Sequence, residues 1–273
     1  MRRAALVLAL LLAGCAHAPP SRIAPPANLP DLRTVPDAVP HAEPRSALGN
    51  PPFYAVAGQR YVVLASAAGY LERGVASWYG PDFHGGRTAT GEPYDMYAMT
   101  AAHKTLPIPC YARVTNLSNG RSVIVRINDR GPFVAKRIID LSYTAALRLD
   151  MIRNGTAFVQ VEAVGADTGS ATAAGPSPAS GPVAAADAAV PAAAPIASTF
   201  YVQVGAYANA DNARRATQRL RTAGFANAIT LAPPPGQLLQ RVRLGPIASV
   251  AEFDAVIERL GQLGFADARL AQD

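Results

Sequence analysis

Tyr111–Asp129, YARVTNLSNGRSVIVRIND, decides the fold of the longer folded part of this chain. Two runs rich in β-branched residues, YARVTNL and SVIVRIND, flank Asn119-Gly120. That dipeptide predicts a two-residue hairpin, because a type I′ turn needs positive φ at both central positions. Working outward, YVVLA from Tyr61, GVASWYG from Gly74 and AFVQVEAV from Ala157 repeat the pattern of short β-branched or aromatic runs broken by Gly, Asn and Pro. A single helix is expected over Ser142–Leu149, where SYTAALRL opens with a capping hydroxyl. The segment 51–165 therefore predicts a compact, mainly β barrel with few helices.

On either side the composition changes. Residues 15–50 are rich in Pro and Ala and hold no period of 2 or 3.6, which reads as a flexible tether. Residues 166–198, containing ATAAGPSPASGPVAAADAAVPAAAP, bury too little apolar surface to offset their ordering entropy and read as a disordered linker. Beyond them, 199–273 carries an internal repeat offset by forty residues. YVQVGAYANADNA (201–213) lies against RVRLGPIASVAEF (241–253), and RLRTAGFANA (219–228) against RLGQLGFADA (259–268). Each half reads strand, helix, Gly-Phe, strand. In the second, Phe253, Val256, Ile257, Leu260 and Leu263 fall at helical spacing, Ser249 with Glu252 makes a capping box, and Gly264 supplies the stop. Two such halves predict an α+β, ferredoxin-like βαββαβ domain.

The N-terminus reads as an address. Met1, Arg2 and Arg3 precede the apolar run Ala4–Ala13, which is too short to span a bilayer. Leu12-Ala13-Gly14-Cys15 resembles the lipobox of bacterial lipoproteins. The resemblance implies that 1–14 is a signal peptide and that Cys15 carries a lipid anchor in the membrane. With Ala16 in place of Asp, it implies the periplasmic side of the outer membrane. Of two cysteines only Cys110 then remains, so an intramolecular disulfide is excluded and stability must come from burial. No Cys/His signature surrounds Cys110, which reads as a small buried hydrophobe. The net charge of +6 is dispersed rather than blocked, and suits an anionic polymer without specifying one. No metal site is expected, since His17 and His41 lie in the tether and His84 and His103 lack ligand spacing, and no cofactor is implied.

The stretch Gly74–Leu149, with its SWYG, TATGE, AAHKTLP, NDRGPF and IIDLS blocks in order, resembles the double-psi β-barrel of the rare lipoprotein A (RlpA) family of septal lytic transglycosylases. The resemblance implies endolytic cleavage of the β-1,4 bond between MurNAc and GlcNAc in peptidoglycan, leaving 1,6-anhydroMurNAc ends. It carries the family's carboxylates onto Glu92 and Asp129, with His103 beside them and Asp140 as a third candidate. Such a cleavage needs a carboxylic acid for the leaving oxygen and an anionic or dipolar group for the oxocarbenium-like transition state. Because the muramoyl C6 hydroxyl is the nucleophile, one carboxyl can serve as acid and then as base. Asp129 is taken as the acid/base and Glu92 as its partner, with the reverse assignment open. Asp140 is alternatively a cap for the helix at Ser142. Tyr79 and Tyr94 are the candidates for stacking on sugar, whereas Trp78 reads as packing.

Phe200–Leu270 resembles the SPOR family of peptidoglycan-binding domains, with YVQVGAY and RVRLGPI at its two characteristic strands. The resemblance places Gln203, Tyr207, Arg241 and Arg243 on a sheet face that takes glycan strands stripped of stem peptides, as found at the division site, with division proteins as further partners. Gln serves sugar hydroxyls, an aromatic covers a sugar face, and Arg takes the lactyl carboxylate in a bidentate bond. Alternation puts Arg241 and Arg243 on one face, with Val242 and Leu244 inward. Ferredoxin-like sheets also bind RNA, but the aromatic RNA-binding signature is missing, so nucleic acid is not an expected partner. Expansins resemble the barrel and loosen polysaccharide without cutting it, so a non-catalytic wall organiser stands as the alternative.

Overall fold

A computed structural model describes residues 31–165 and 199–272. The leader 1–14, the anchor Cys15 and the linker 166–198 lie outside the described residues. From Asp31 the expected tether is instead a strap laid on the barrel. Leu32 is buried, the Ala38 amide donates to Ile124 O at 3.0 Å, and Arg148 Nη1 donates to Val35 O at 2.9 Å. Asn50 closes the strap by exchanging two hydrogen bonds with the Ile108 backbone, at 2.6 and 2.9 Å. A strap of this kind satisfies its polar groups on its neighbour rather than on itself, so it needs no sequence period.

Strands β1 (Phe53–Val56) and β2 (Gln59–Val62) form a separate hairpin. Its two central residues, Ala57 and Gly58, have φ of 47° and 78°, so the two-residue turn with paired positive φ is found here. At Asn119-Gly120 only Gly120 is left-handed, with φ 74°. The loop there spans 117–120, closed by the Asn116 amide on Arg121 O at 2.8 Å. Asn119 is held by its own side chain, which accepts from the Arg121 amide at 3.0 Å and donates to Leu149 O at 3.1 Å. Those anchors override the local turn preference.

The barrel comprises β3 (Leu71–Trp78), β4 (Thr100–His103), β5 (Cys110–Asn116), β6 (Ser122–Asp129), β7 (Arg137–Leu141) and β8 (Ala157–Val164), closed in the order β3-β7-β4-β6-β5-β8. The β3–β7 and β4–β6 pairs are parallel and the rest antiparallel, the crossed arrangement of a double-psi barrel. Val114, Val125, Ile127, Ile139, Leu141, Val159 and Val161 fill it, each fully buried and contributing about 1.5–3 kcal/mol. Helix α1 (Tyr143–Arg148) starts where expected, with Ser142 Oγ accepting from the Ala145 amide at 3.2 Å.

The second domain runs β9 (Phe200–Tyr207), α2 (Ala210–Thr222), β10 (Ala228–Leu231), β11 (Gln240–Ile247), α3 (Val250–Gln262) and β12 (Arg269–Gln272). Its sheet order, β10-β11-β9-β12, is all antiparallel and is that of a ferredoxin-like fold. Ser249 Oγ caps the Glu252 amide at 3.1 Å, while the Glu252 carboxylate takes the Ala248 amide at 2.7 Å. Phe253, Ile257 and Leu260 face the sheet. Val75 and Phe158, which point out of the barrel, are buried against this domain, with Phe158 4.6 Å from Phe200 and 5.8 Å from Phe253 between ring centres. Arg137 adds a bidentate ion pair with Asp254 at 3.0 and 2.7 Å.

Candidate active site

The parallel pairings bring together residues far apart in sequence. Ala102 on β4 pairs with Asp129 of β6 on one side and with Asp140 of β7 on the other, and Asp140 pairs in turn with Ser77 of β3. Asp129 and Asp140 thus share one row across the barrel, two strand spacings or roughly 10 Å apart at their Cα atoms. Gly131, with φ 139°, folds over this row: a Cβ there would stand 4.0 Å from Asp140 Oδ2 and 3.8 Å from Ala102 Cβ.

Three donors converge on Asp129. Its Oδ1 accepts the amides of Ala89 and Arg130, each at 2.7 Å, and its Oδ2 accepts the Tyr79 hydroxyl at 3.0 Å. This is the surrounding that an acceptor-only carboxylate requires. Burial first, then the charge of Asp129, hold the Tyr79 phenol protonated and far above its ordinary range. Asp140 accepts from the Ser77 hydroxyl. Burial raises its pKa, the charge of Asp129 adds to the rise, and the Ser77 hydrogen bond, Lys104 and Arg137 oppose it. Asp140 does not cap helix α1, a role taken by Ser142. One row therefore holds a carboxylate ringed by donors and a second carboxyl whose pKa burial raises, a difference in surroundings between neighbouring acids of the kind that supports acid–base work.

Glu92 lies elsewhere. Arg126 clamps its carboxylate at 2.8 and 3.0 Å and Asn128 Nδ2 donates at 3.0 Å. The β4–β6 register shifts by one residue here, from Ala101 opposite Ile127 to Ala102 opposite Asp129, so Asp129 joins the row of Ala102 and Asp140 while Arg126 and Asn128 hold Glu92. The Arg126 hydrogen bond, foremost, lowers the pKa of Glu92, which opposes a role as proton donor. Arg126 also grips Glu43 of the strap at 2.8 Å through two nitrogens. Glu92 O accepts from the Thr88 amide at 2.8 Å and from its hydroxyl at 3.0 Å. The Glu43–Arg126–Glu92 chain thereby braces the loop whose Ala89 amide holds Asp129.

His103 is 2% exposed and does not face the aspartates' donors. Its Nδ1 accepts the amides of Thr105 and Leu106 at 3.2 and 3.0 Å, so Nε2 carries the hydrogen toward the Tyr70 hydroxyl, 2.8 Å away. Burial, ahead of Arg130 and Lys104, lowers its pKa to about 3. The imidazole is a neutral turn anchor rather than a group that reaches a substrate. Burial likewise pushes the Cys110 thiol up to about 12.

Of the two tyrosines expected to stack on sugar, Tyr94 is 5% exposed and lies 4.8 Å behind Tyr79, so it has no free face. Tyr79 is half-buried and bonded to Asp129. Phe83, 60% exposed and 5.8 Å from Tyr79, offers the open ring instead. Sequence reading passed over it, although an aromatic in the Gly/Pro-rich GPDFHGG loop is itself a binding signal. Trp78 packs edge-on against Tyr143 at 5.6 Å.

On the second domain, Gln203 stands in register between Arg243 of β11 and Arg269 of β12. Arg269 was not singled out from sequence. The Tyr207 ring lies back over Gly205, where any Cβ would meet it within 3 Å. A register shift between Val242 and Arg243 breaks the expected equivalence of the two arginines: Arg243 aligns with Gln203, Arg241 with Ala206. Arg243 is only 6% exposed, 5.7 Å from the Tyr201 ring, whereas Arg241 is half-buried and holds the Gln237 side chain.

A double-psi barrel followed by a ferredoxin-like repeat is the two-domain arrangement of a barrel lytic transglycosylase joined to a peptidoglycan-binding domain. The lytic transglycolase family model matches residues 71–161, and the SPOR domain model matches 197–270. The endolytic peptidoglycan transglycosylase RlpA of Pseudomonas aeruginosa (strain UCBPP-PA14) is 38% identical over 281 aligned positions, covering 86% of this chain and 80% of the relative. Its namesake in Vibrio cholerae is 48% identical, covering 59% of this chain and 63% of the relative. That of Neisseria meningitidis serogroup A is 56% identical, covering 47% and 53%. The chain belongs to the RlpA family of endolytic peptidoglycan transglycosylases.

Proposed function

We propose that this chain is an endolytic lytic transglycosylase that cuts the glycan strands of peptidoglycan between MurNAc and GlcNAc, and that Asp140 and Asp129 carry the reaction. The single observation behind the site assignment is the shared row of the two aspartates, Asp129 ringed by donors and Asp140 bonded to Ser77 with its pKa raised by burial. Asp140 gives its proton to the glycosidic oxygen as the C1–O bond breaks. Asp129, oriented by Tyr79 and two amides, stabilises the positive charge developing on the sugar. The muramoyl C6 hydroxyl then attacks C1 and returns its proton to Asp140, so protons balance and the product ends in a 1,6-anhydro ring. Glu92 and His103 hold the surrounding loops.

The second domain takes the same polymer on the face around Gln203, Arg243 and Arg269, raising the local concentration of strand at the barrel. Peptide-free strands, the division septum, division-protein partners, and anchoring through Cys15 in the outer membrane belong to this proposal and follow from the family resemblance and the lipobox-like leader.

The test is mass spectrometry of products from peptide-free glycan strands incubated with the wild type, Asp140→Asn, Asp129→Asn and Glu92→Gln. Anhydro-muramoyl ends are expected from the wild type, none from Asp140→Asn, and reduced amounts from Asp129→Asn and Glu92→Gln. Reducing ends would make the enzyme a hydrolase. A folded, strand-binding wild type that cuts nothing would make it a wall organiser.

A further inference from the structure

Four residues beyond Asp129, Phe133 stands 45% exposed on the loop leading to β7. It is not an isolated apolar side chain. Its ring meets Tyr54 edge-on at 6.2 Å and Tyr61 at 5.8 Å, and those two tyrosines stack on each other at 5.2 Å with a 27° tilt. Both come from the β1–β2 hairpin, where they sit opposite one another in the register. The hairpin precedes Leu71, where the match to the lytic transglycolase model begins.

The cluster is built rigidly against the active-site row. The Tyr54 hydroxyl donates to Lys104 O at 2.8 Å, two residues past Ala102, the residue that separates Asp129 from Asp140. On the other flank Arg130 donates to Gly49 O at 2.8 Å, His103 O at 3.1 Å and Leu106 O at 2.5 Å, and its guanidinium lies 6.0 Å from the Tyr54 ring. Both ends of the wall are thus tied to elements that position the carboxylates. An aromatic surface held in place before binding loses little entropy when a ligand settles on it. Such a surface, with ring faces and the Tyr61 hydroxyl beside them, matches the alternating C–H faces and hydroxyls of pyranose rings.

We propose that Phe133, Tyr61 and Tyr54 form a saccharide subsite that receives the glycan strand beyond the scissile bond. Only Arg130, Gly131 and Pro132 separate Phe133 from Asp129 in the chain, and Tyr54 is tied to Lys104 O two residues from Ala102, so the wall stands beside the aspartate row. The hairpin also explains how an endolytic enzyme gains hold of a strand away from its end. The inference rests on the transglycosylase reading above, and it adds a binding role for a segment outside the matched barrel.

The experiment measures kcat and KM of the full chain on defined peptide-free glycan oligomers of increasing length, scoring anhydro ends, for the wild type, Phe133→Ala, Tyr61→Ala, the double variant and Phe133→Tyr. Loss of one stacked ring is expected to raise KM about threefold to tenfold on long oligomers, with a smaller change in kcat. The effect should grow with oligomer length, the double variant should exceed either single, and Phe133→Tyr should restore KM. Unchanged KM at every length overturns the proposal. So does a fall in kcat matched by a lowered unfolding midpoint, which would mean the rings only hold the loop, or a KM change that does not grow with oligomer length. If the wild type itself yields no anhydro ends, the transglycosylase reading fails first, and strand binding by the same variants still reports on the wall.

Discussion

Replacing Glu43 by Gln tests whether the strap is part of the folded barrel. Glu43 accepts both Arg126 nitrogens at 2.8 Å and the Tyr111 hydroxyl at 2.5 Å. The Arg126 hydrogen bond, the first cause, takes its pKa from 4.5 to about 2. At about 1.4 kcal/mol per pH unit this sets a ceiling of about 3.4 kcal/mol on its contribution near pH 7. The side chain keeps 19% of its surface open to solvent and Arg126 retains Glu92, so screening trims the expected loss to about 2 kcal/mol. A carboxylate with a depressed pKa stabilises the fold above its unfolded value and loses that stabilisation as pH falls toward its folded one. The gap between wild type and Glu43→Gln should therefore be full above about pH 5 and close by pH 2. The chain has one tryptophan, Trp78, and it lies in β3, so urea unfolding followed by its fluorescence reports on the barrel. A gap below about 0.5 kcal/mol at pH 7, or one that persists unchanged at pH 2.5, would refute the reasoning.

Asp140→Asn should abolish cleavage yet leave the barrel more stable than the wild type at pH 8, with the gain gone at pH 3, because a raised folded pKa makes stability fall as pH rises; an equal difference from the wild type at both pH values would deny the raised pKa. Tyr79→Phe removes one donor to Asp129 and should lower kcat about tenfold with KM nearly unchanged, read by anhydro-end formation. Cys110 should resist iodoacetamide at pH 8 in the native protein and react on unfolding, as burial holds the thiol near 12, which intact mass measures directly. Arg137→Glu should free the second domain from the barrel, and Asp254→Arg in the same chain should restore it, as followed by distances between spin labels on the two domains.

What was legible in the sequence was whatever repeats locally. The forty-residue duplication, the spacing of Phe253, Ile257 and Leu260, and the Ser142 and Ser249 caps announce themselves within one or two turns of chain. The strap did not, because Glu43, Asp37 and Asn50 find partners 58 to 111 residues away and leave no trace in their own neighbourhood. The hairpin at Asn119-Gly120 was legible as strands but not as a turn, since Leu149 O captures the Asn119 side chain. Among the candidate acids, spacing could not rank Glu92, Asp129 and Asp140. Which of them meet is decided by the parallel pairing of β4 with β6 and of β3 with β7, and those pairings join segments separated by whole crossovers.

The same register gives the contact between domains a chemical consequence. Arg137 lies three residues before Asp140 on β7, and its positive charge favours the ionised form of that acid. Asp254 of α3 takes the Arg137 guanidinium through both carboxylate oxygens, and Lys136 beside it donates to Ala266 O at 2.9 Å. Pairing Arg137 with an anion offsets part of its field at Asp140, which leaves the upward push of burial and Asp129 less opposed. Outward-facing Val75 and Phe158 give the docked position an apolar footing that a lone barrel would leave wet. The domain that takes hold of the strand is thus also the domain whose helix moderates a cation next to the proposed acid, so holding and cutting meet at one arginine.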